Sequence, residues 1–366
     1  MSVVPITWLA RDRMGQAGTF VAVAYALSWG LAHAVAVQFH EIAFAVPLLA
    51  YGLVFYVTDR VWPAIIAVGA LVFVKEDLGL TVAAFGAVGL WDAWQKGRGR
   101  GPWIAAGLWG IAWFVLSIFV ILPAFNTAGQ WDYTNRVEDV SLGSQLLNFV
   151  TPTEKWITVG LLIALGGVIA LRSQLMFLVV PTLAWRFIGN VEYYWGWTWH
   201  YSAVLMPIVA VAAVDGFARW KADRADSAES DDPVNYQSTT GRLALAAGVV
   251  ALASALAMVG SGPLKHVWHG YYVWDPQGSH AALEELADLE AGADAAVASD
   301  VTHLAYLAPH YETYWTGSMG TVVPDAWIVE LDEPADTKVA YAEARWGGAW
   351  EAQTFGHVAL LTNADG

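Results

Sequence analysis

Cysteine is absent from the 366 residues, which excludes a disulfide framework, a thiolate metal site and a thiol nucleophile, and leaves the redox compartment unread. Charge is scarce as well. Asp, Glu, Lys and Arg make up 14% of the chain against 57% hydrophobic residues, and the mean hydropathy is +0.45. Basic residues are the rarer sign, and the net charge is −15. From Ser261 onward 16 acidic residues face 3 basic ones, so the acidity belongs to the tail. Such a surface excludes nucleic acid, whose phosphates need a basic partner. What is abundant is apolar sequence with 21 tryptophans, far beyond the need of a soluble core. The composition is that of a polytopic membrane protein.

Apolar segments suited to a bilayer lie near 17–38, 42–58, 61–74, 78–94, 103–123, 156–171, 174–189, 200–218 and 243–260, several shorter than the roughly 20 residues of a full span. The expected architecture is a mainly α bundle of about nine transmembrane helices over 1–260, followed by a small C-terminal α/β domain over 261–366. Arg11, Arg13, Arg60, Lys96, Arg98, Arg100, Arg172, Arg219, Lys221, Arg224 and Arg242 fall in alternate connections. The positive-inside rule then places the N-terminus inside and the acidic domain outside the cell membrane. The polar stretch 221–242 reads as a flexible cytoplasmic linker. Residues 1–37 resemble a signal peptide ending in "AHAVAVQ", but the run is long for that role and reads as a retained helix. In the tail an amphipathic helix opens at Ser279, a strand is expected at 295–299, a short helix at 301–308, and strands at 326–331 and 356–362. It holds no P-loop, G-x-G-x-x-G or G-x-S-x-G.

This topology gathers the polar features at the outer face. Lys75, Glu76 and Asp77 follow the turn at Arg60 by about 14 residues, a rise of roughly 21 Å in a hydrocarbon layer about 30 Å thick. They should lie below the outer surface, where charge is costly unless it is paired or faces a wet cavity. Pairing of Lys75 with a neighbouring carboxylate, and a helix end near Gly79, would close a structural hairpin; otherwise the cluster faces substrate. "QFHE" offers His40 and Glu41 for general base work or, with further ligands, a divalent cation; alone it is an ordinary interfacial loop. In "NVEYYWGWTWHY" the rings of Tyr193, Tyr194, Trp195, Trp197, Trp199 and Tyr201 stand near Glu192 and His200. They suit an interfacial belt, or a platform for a sugar ring or polyprenyl headgroup. Arg186 and Lys75 are the cations available to a phosphate. The segment 124–155 reads as a solvated loop or lid, and the tail histidines His266, His269, His303 and His310 as surface or satisfied groups.

The segments "LARDRMGQAGTFVAVAYALSWGLAHAVAVQFHEIAFAVPLLAYGL", "VKEDLGL", "YWGWTWHYSAVLMPIV" and "AAVASDVTHLAYLAPH" resemble, in order, the membrane proteins called domain of unknown function 2079. That family is similar to the glycosyltransferases of the C superfold, polytopic enzymes that use polyprenyl-phosphate sugars at the extracytoplasmic face. The resemblance matches His40 and Glu41 to an FHE motif, Lys75, Glu76 and Asp77 to a KED motif, and His200 with Tyr201 to a His-Tyr pair. It implies a transferase whose partners are membrane lipid, a polyprenyl-phosphate sugar donor and an unknown acceptor, with no cofactor beyond an optional divalent cation. Glu41, Glu76, Asp77 and His40 are then the catalytic candidates. Lys75, Arg186, Glu192, Tyr194, Trp195, Trp197, Trp199, His200 and Tyr201 are the substrate-binding candidates. Members of the family begin with further helices and an Asp-bearing outer loop, so the chain reads as truncated at its N-terminus. The competing expectations are a non-enzymatic transporter or scaffold, and an inactive truncated member.

Overall fold

The computed structural model describes residues 1–37, 39–125, 147–188, 192–228, 233–261, 278–288, 295–300, 302–317 and 319–364. Two compact units, Met1–Lys265 and His266–Gly366, divide the chain.

The first unit is helical. It opens with α1 (Val3–Met14), α2 (Ala17–Ala26), α3 (Trp29–Ala36), α4 (Ile42–Val57), α5 (Val61–Gly69), α6 (Leu78–Gln95) and α7 (Gly101–Leu116). A π turn at Ser117–Ile121 extends α7 to Phe125. Next come α8 (Thr153–Gly166), 3-10 turns at Val168–Arg172 and Gln174–Leu178, α9 (Val179–Ile188) and the single turn α10 (Glu192–Trp195). A 3-10 turn at His200–Ser202 leads into α11 (Leu205–Ala228), and α12 (Pro233–Ser261) closes the unit.

Among the described residues the apolar stretches are mostly helical, helix being the one open-chain form in which a backbone in lipid satisfies its own N–H and C=O groups. Among the described residues, Ala17–Ala36, Gly101–Phe125 and His200–Ala225 are long and apolar enough to cross a bilayer. Ile42–Val57, Val61–Phe73, Gln174–Ile188 and Ala244–Ala257 are shorter apolar helices. The first long helix is interrupted at Ser28, which is extended at φ −62° and ψ 142° and separates α2 from α3.

Burial separates central from peripheral helices. Leu205, Met206, Ile208, Val209, Val211 and Ala212 of α11 are all fully buried, so the first half of this helix is apolar all round because it is enclosed all round. In contrast, Ile104, Leu108, Ile111, Val115 and Phe119 are exposed. Their spacing makes one stripe along α7, the side a lipid would cover. The other side of α7 meets α6 at backbone distance. A Cβ built on Gly86 would lie 2.4 Å from Gly107 N, and one on Gly79 would lie 2.7 Å from Gly110 O. Small residues are what allow two helices this approach.

Two expectations are corrected here. The helix entering the charged cluster ends at Phe73 rather than near Gly79. Asp77 is the residue before α6, and Gly79 is the second residue inside it. Gly79 therefore serves the contact with α7, not a C-cap. The stretch 221–242, expected as a loop, is helix up to Ala228 and again from Pro233. Its run K-A-D-R-A-D is rich in helix formers, which outweighs its polarity.

The second unit is a five-stranded mixed sheet of β1 (Ala296–Ser299), β2 (Glu312–Trp315), β3 (Ala326–Glu330), β4 (Trp350–Phe355) and β5 (Val358–Asn363), in the order β2-β1-β3-β5-β4. β1 runs parallel to β2 and β3, whereas β5 is antiparallel to β3 and β4. Strand alternation divides its core. Val297, Ile328, Val358 and Leu360 pack with Ala282, Leu286 and Leu307 of α13 (Ser279–Asp288) and α14 (Leu304–Leu307). Ala298, Trp327, Val329, Ala359 and Leu361 pack with Ala342 of α15 (Ala335–Trp346). The expected helix at Ser279 and the strands at 295–299, 326–331 and 356–362 all have counterparts. β2, α15 and β4 are additional. Gly356, at φ 62°, turns the β4–β5 hairpin.

Candidate functional site

α4 and α6 are long enough to define two ends of the first unit. Asp59, Asp92 and Lys96 lie at one end, Glu41 and Asp77 at the other.

The first end is a set of closed ion pairs. Arg98 Nη1 meets Asp59 Oδ1 at 2.5 Å, Lys96 Nζ meets Asp92 Oδ2 at 2.9 Å, Arg219 Nε meets Asp215 Oδ2 at 2.7 Å, and Arg172 meets Asp223. Ser173 Oγ also donates to Asp215 at 2.6 Å. The Arg98 hydrogen bond holds the exposed Asp59 carboxyl below its ordinary range. These pairs join the α4–α5 connection to the α6–α7 connection, and the α8–α9 connection to α11.

The other end is built differently. The expected pairing of Lys75 with an adjacent carboxylate gives way to a contact across the fold: Lys75 Nζ meets Glu41 Oε1 at 3.4 Å. Adjacent side chains diverge around the chain axis, whereas the start of α4 stands beside the turn before α6. His40 stacks on His200, ring centroids 3.8 Å apart at 25°. His200 leans on Tyr201 at 4.1 Å, and Lys75 Nζ stands 5.5 Å from the Tyr201 ring centre. Asp77 lies within electrostatic reach of Lys75, Glu76 and Arg186. Residues from four separated segments therefore share one place.

Two buried polar atoms there have no hydrogen-bond partner among the described residues, Asp77 Oδ1 and His200 Nδ1. His200 is only 5% exposed. Unsatisfied buried groups are rare in folded proteins and mark places where a ligand or water completes the set. Asp77 offers an acceptor. His200 Nδ1 donates or accepts according to its tautomer.

The aromatic segment is held from beneath by two buried cations. Arg186, 4% exposed, directs its guanidinium at the loop: Nε donates to Tyr194 O at 2.5 Å, Nη2 to Gly196 O at 3.0 Å, and Nη1 to Ser202 Oγ at 3.1 Å and Tyr201 O at 3.4 Å. Lys155 was expected in a solvated loop, yet it is 1% exposed. Its Nζ donates to Phe187 O at 2.8 Å and to Asn148 O, and lies 4.2 Å from the Trp195 ring centre. Thr158 Oγ1 adds a 2.7 Å bond to Trp195 O. Carbonyl oxygens and an aromatic face satisfy a buried cation without a carboxylate. Tyr194 packs edge-on to Tyr201 at 4.9 Å, and Trp197 packs against the apolar core. Trp199 immediately precedes the His200–Ser202 turn. The Glu192 side chain, Gln38 and residues 126–146 lie outside the described residues.

A second constellation occurs in the other unit. Ser279 Oγ is 2.8 Å from His303 Nε2, and His303 Nδ1 is 3.1 Å from Asp300 Oδ1. These are the relations of a hydroxyl, a base and an orienting carboxylate. Ser279 is 4% exposed and His303 1%, however, so the hydroxyl is enclosed. Asp300 also accepts from Thr302 N at 3.0 Å and Glu330 N at 2.9 Å. The trio ties the start of α13 and the end of β1 to β3, and His303 is a satisfied histidine, as its sequence setting implied. Burial pushes the Asp300 carboxyl up, but the bonds from His303, Glu330 N and Thr302 N hold it below its ordinary range.

Among known proteins, the family model described as "Predicted membrane protein (DUF2079)" matches residues 1–265. No curated protein and no solved structure matches the chain. The matched stretch is most of the chain and includes the whole Glu41–Lys75–Asp77 end. The chain belongs to the DUF2079 family of membrane proteins.

Proposed function

We propose that the chain is an integral membrane glycosyltransferase-like protein. It moves a sugar from a polyprenyl-phosphate donor to an acceptor hydroxyl at the extracytoplasmic face. The observation that carries this reading is an unpartnered buried carboxylate oxygen, on Asp77, within electrostatic reach of a cation, Lys75, at one end of the bundle. Asp77 takes the acceptor proton as the acceptor oxygen attacks the anomeric carbon, and the bond from that carbon to the phosphate oxygen breaks. Lys75 holds the departing phosphate, and Glu41 positions Lys75. His40 and His200 close one side of the site, with His200 Nδ1 turned to substrate. The 194–201 aromatics stack on sugar or isoprenoid. Arg186 acts on substrate through the loop it clamps. Glu76, beside Asp77, is the reserve carboxylate. The described residues hold no group of three His, Asp or Glu suited to a metal, so a divalent cation would be shared with the donor phosphate. The alternation of basic connections puts this end, and the acidic C-terminal domain, outside the cell.

The test is a kinetic split with the purified full chain and a radiolabelled polyprenyl-phosphate sugar. Lys75→Gln should cut kcat by about 10²-fold or more, and Glu41→Gln should raise the donor KM with a smaller effect on kcat. Equal and trivial effects of both would remove the phosphate-holding role.

One observation favours a second reading, a transporter. The break at Ser28 inside Ala17–Ala36 is of the kind that transporters use to build midplane sites. Uptake of a solute by vesicles holding the chain, without any donor consumed, would favour it.

A further inference from the structure

The end of the first unit that carries the closed ion pairs also holds a cleft of about 360 Å³. It lies between the turn from α1 into α2, the end of α8 with the following 3-10 turn, α11 and α12, and every lining residue is apolar. Its volume is that of about twelve liquid waters, too small for a whole lipid and suited to part of one chain. A cleft whose wall is so largely apolar favours a hydrocarbon occupant over water.

The charge at its rim says which hydrocarbon. On α11 the lining residues Ala213, Phe217 and Trp220 share a face with Arg224, whose guanidinium carbon lies 5.6 Å from the Trp220 ring centre. On α12 the lining residues Ala246 and Val250 share a face with Arg242, one turn earlier. On α1 the lining residue Met14 is one turn beyond Arg11. Three lining faces thus run into arginines, all exposed. None of the three has an ion pair among the described residues, unlike Arg98, Arg172 and Arg219 nearby.

We propose that this cleft takes one acyl chain of an anionic glycerophospholipid from the leaflet at that end, with Arg11, Arg224 and Arg242 on its phosphate. The site is separate from the Asp77 end and stands whether or not the chain is a transferase. Arginine forks suit phosphate oxygens, and juxtamembrane cations favour anionic headgroups.

Native mass spectrometry of the purified full chain reads retained lipid directly, with phosphatidylglycerol and phosphatidylcholine as probes. Wild type should hold one phosphatidylglycerol more tightly than phosphatidylcholine. The combined substitution Arg11→Gln, Arg224→Gln, Arg242→Gln, confined to exposed side chains, should weaken phosphatidylglycerol by at least about tenfold and spare phosphatidylcholine. Ala247→Trp, which fills the cleft, should weaken both. Unchanged phosphatidylglycerol retention in either variant, or equal retention of the two lipids by wild type, would overturn the proposal.

Discussion

At the scale of single residues, the two cations beneath the aromatic loop make the sharpest claims. Arg186 uses a planar fork to reach four oxygens, a geometry an ammonium cannot copy. Arg186→Lys, with three donors for four acceptors, should leave at least one of them unpaired, at about 1–3 kcal/mol. Hydrogen exchange at 194–202 should rise accordingly, with the amides of α11 unchanged; unaltered protection of the loop would refute the clamp. Sequence placed Arg186 at this end as a cation for phosphate, whereas its guanidinium is spent on the loop, and it did not single out Lys155. Lys155 stands next to Glu154 in a charged stretch, and its Trp195 partner is 40 residues away, so no local pattern announces the contact. The Asp300 network makes a pH prediction. A carboxyl held lower in the folded state than its unfolded value near 3.9 stabilises fully above that value, and the contribution is lost as pH falls through the folded value. Proteolysis of the 278–364 region in the full chain should therefore accelerate below about pH 4. Asp300→Asn should flatten that acid step, and an identical acid profile in the variant would contradict the assignment.

At the scale of elements, the α6–α7 contact separates glycines that look alike in sequence. A Cβ on Gly86 meets backbone at 2.4 Å, while one on Gly107 finds nothing nearer than 3.9 Å. Gly86→Ala should lower the thermal midpoint by the equivalent of at least about 1–3 kcal/mol. Gly107→Ala should be neutral or slightly stabilising, because alanine favours helix. Equal shifts would mean that the helices do not pack this closely. Helix positions were legible because apolar run length is a strong signal; the break at Ser28 was not, since serine is a weak breaker and its neighbours are apolar. Gly79 is instructive. Glycine after a charged cluster suggests a helix end, but here it faces Gly110 of another helix, and only tertiary contact distinguishes the two uses. In the second unit α15 was legible in principle, with Pro334 before an Ala/Glu/Lys/Arg-rich run and Gly347 after it. β2 was hidden because E-T-Y-W is nowhere fully buried and carries no apolar run, unlike the equally short β1.

At the scale of the whole molecule, the absence of cysteine becomes a tool. A single Phe39→Cys, at an exposed residue of the Asp77 end, and a single Gly99→Cys, in open space at the opposite end, report sidedness without background. An impermeant thiol reagent on intact cells should label the first and spare the second; the reverse pattern would turn the proposed orientation over. The candidate site was legible as parts, since "FHE", "KED" and the aromatic segment each stand out. Their meeting, through Glu41–Lys75 and His40–His200, depends on contacts 34 and 160 positions apart. The structure also distinguishes carboxylates that sequence left equal, because Glu41 is engaged by Lys75 while Asp77 Oδ1 is buried and unpartnered. The most direct test is therefore the transfer of labelled sugar from a polyprenyl-phosphate donor by the purified full chain, with Asp77→Asn and Glu76→Gln beside wild type. Wild type should transfer, Glu76→Gln should retain most of the rate, and Asp77→Asn should lose about 10²- to 10⁴-fold while keeping its thermal midpoint. Transfer by Asp77→Asn at the wild-type rate would contradict the account.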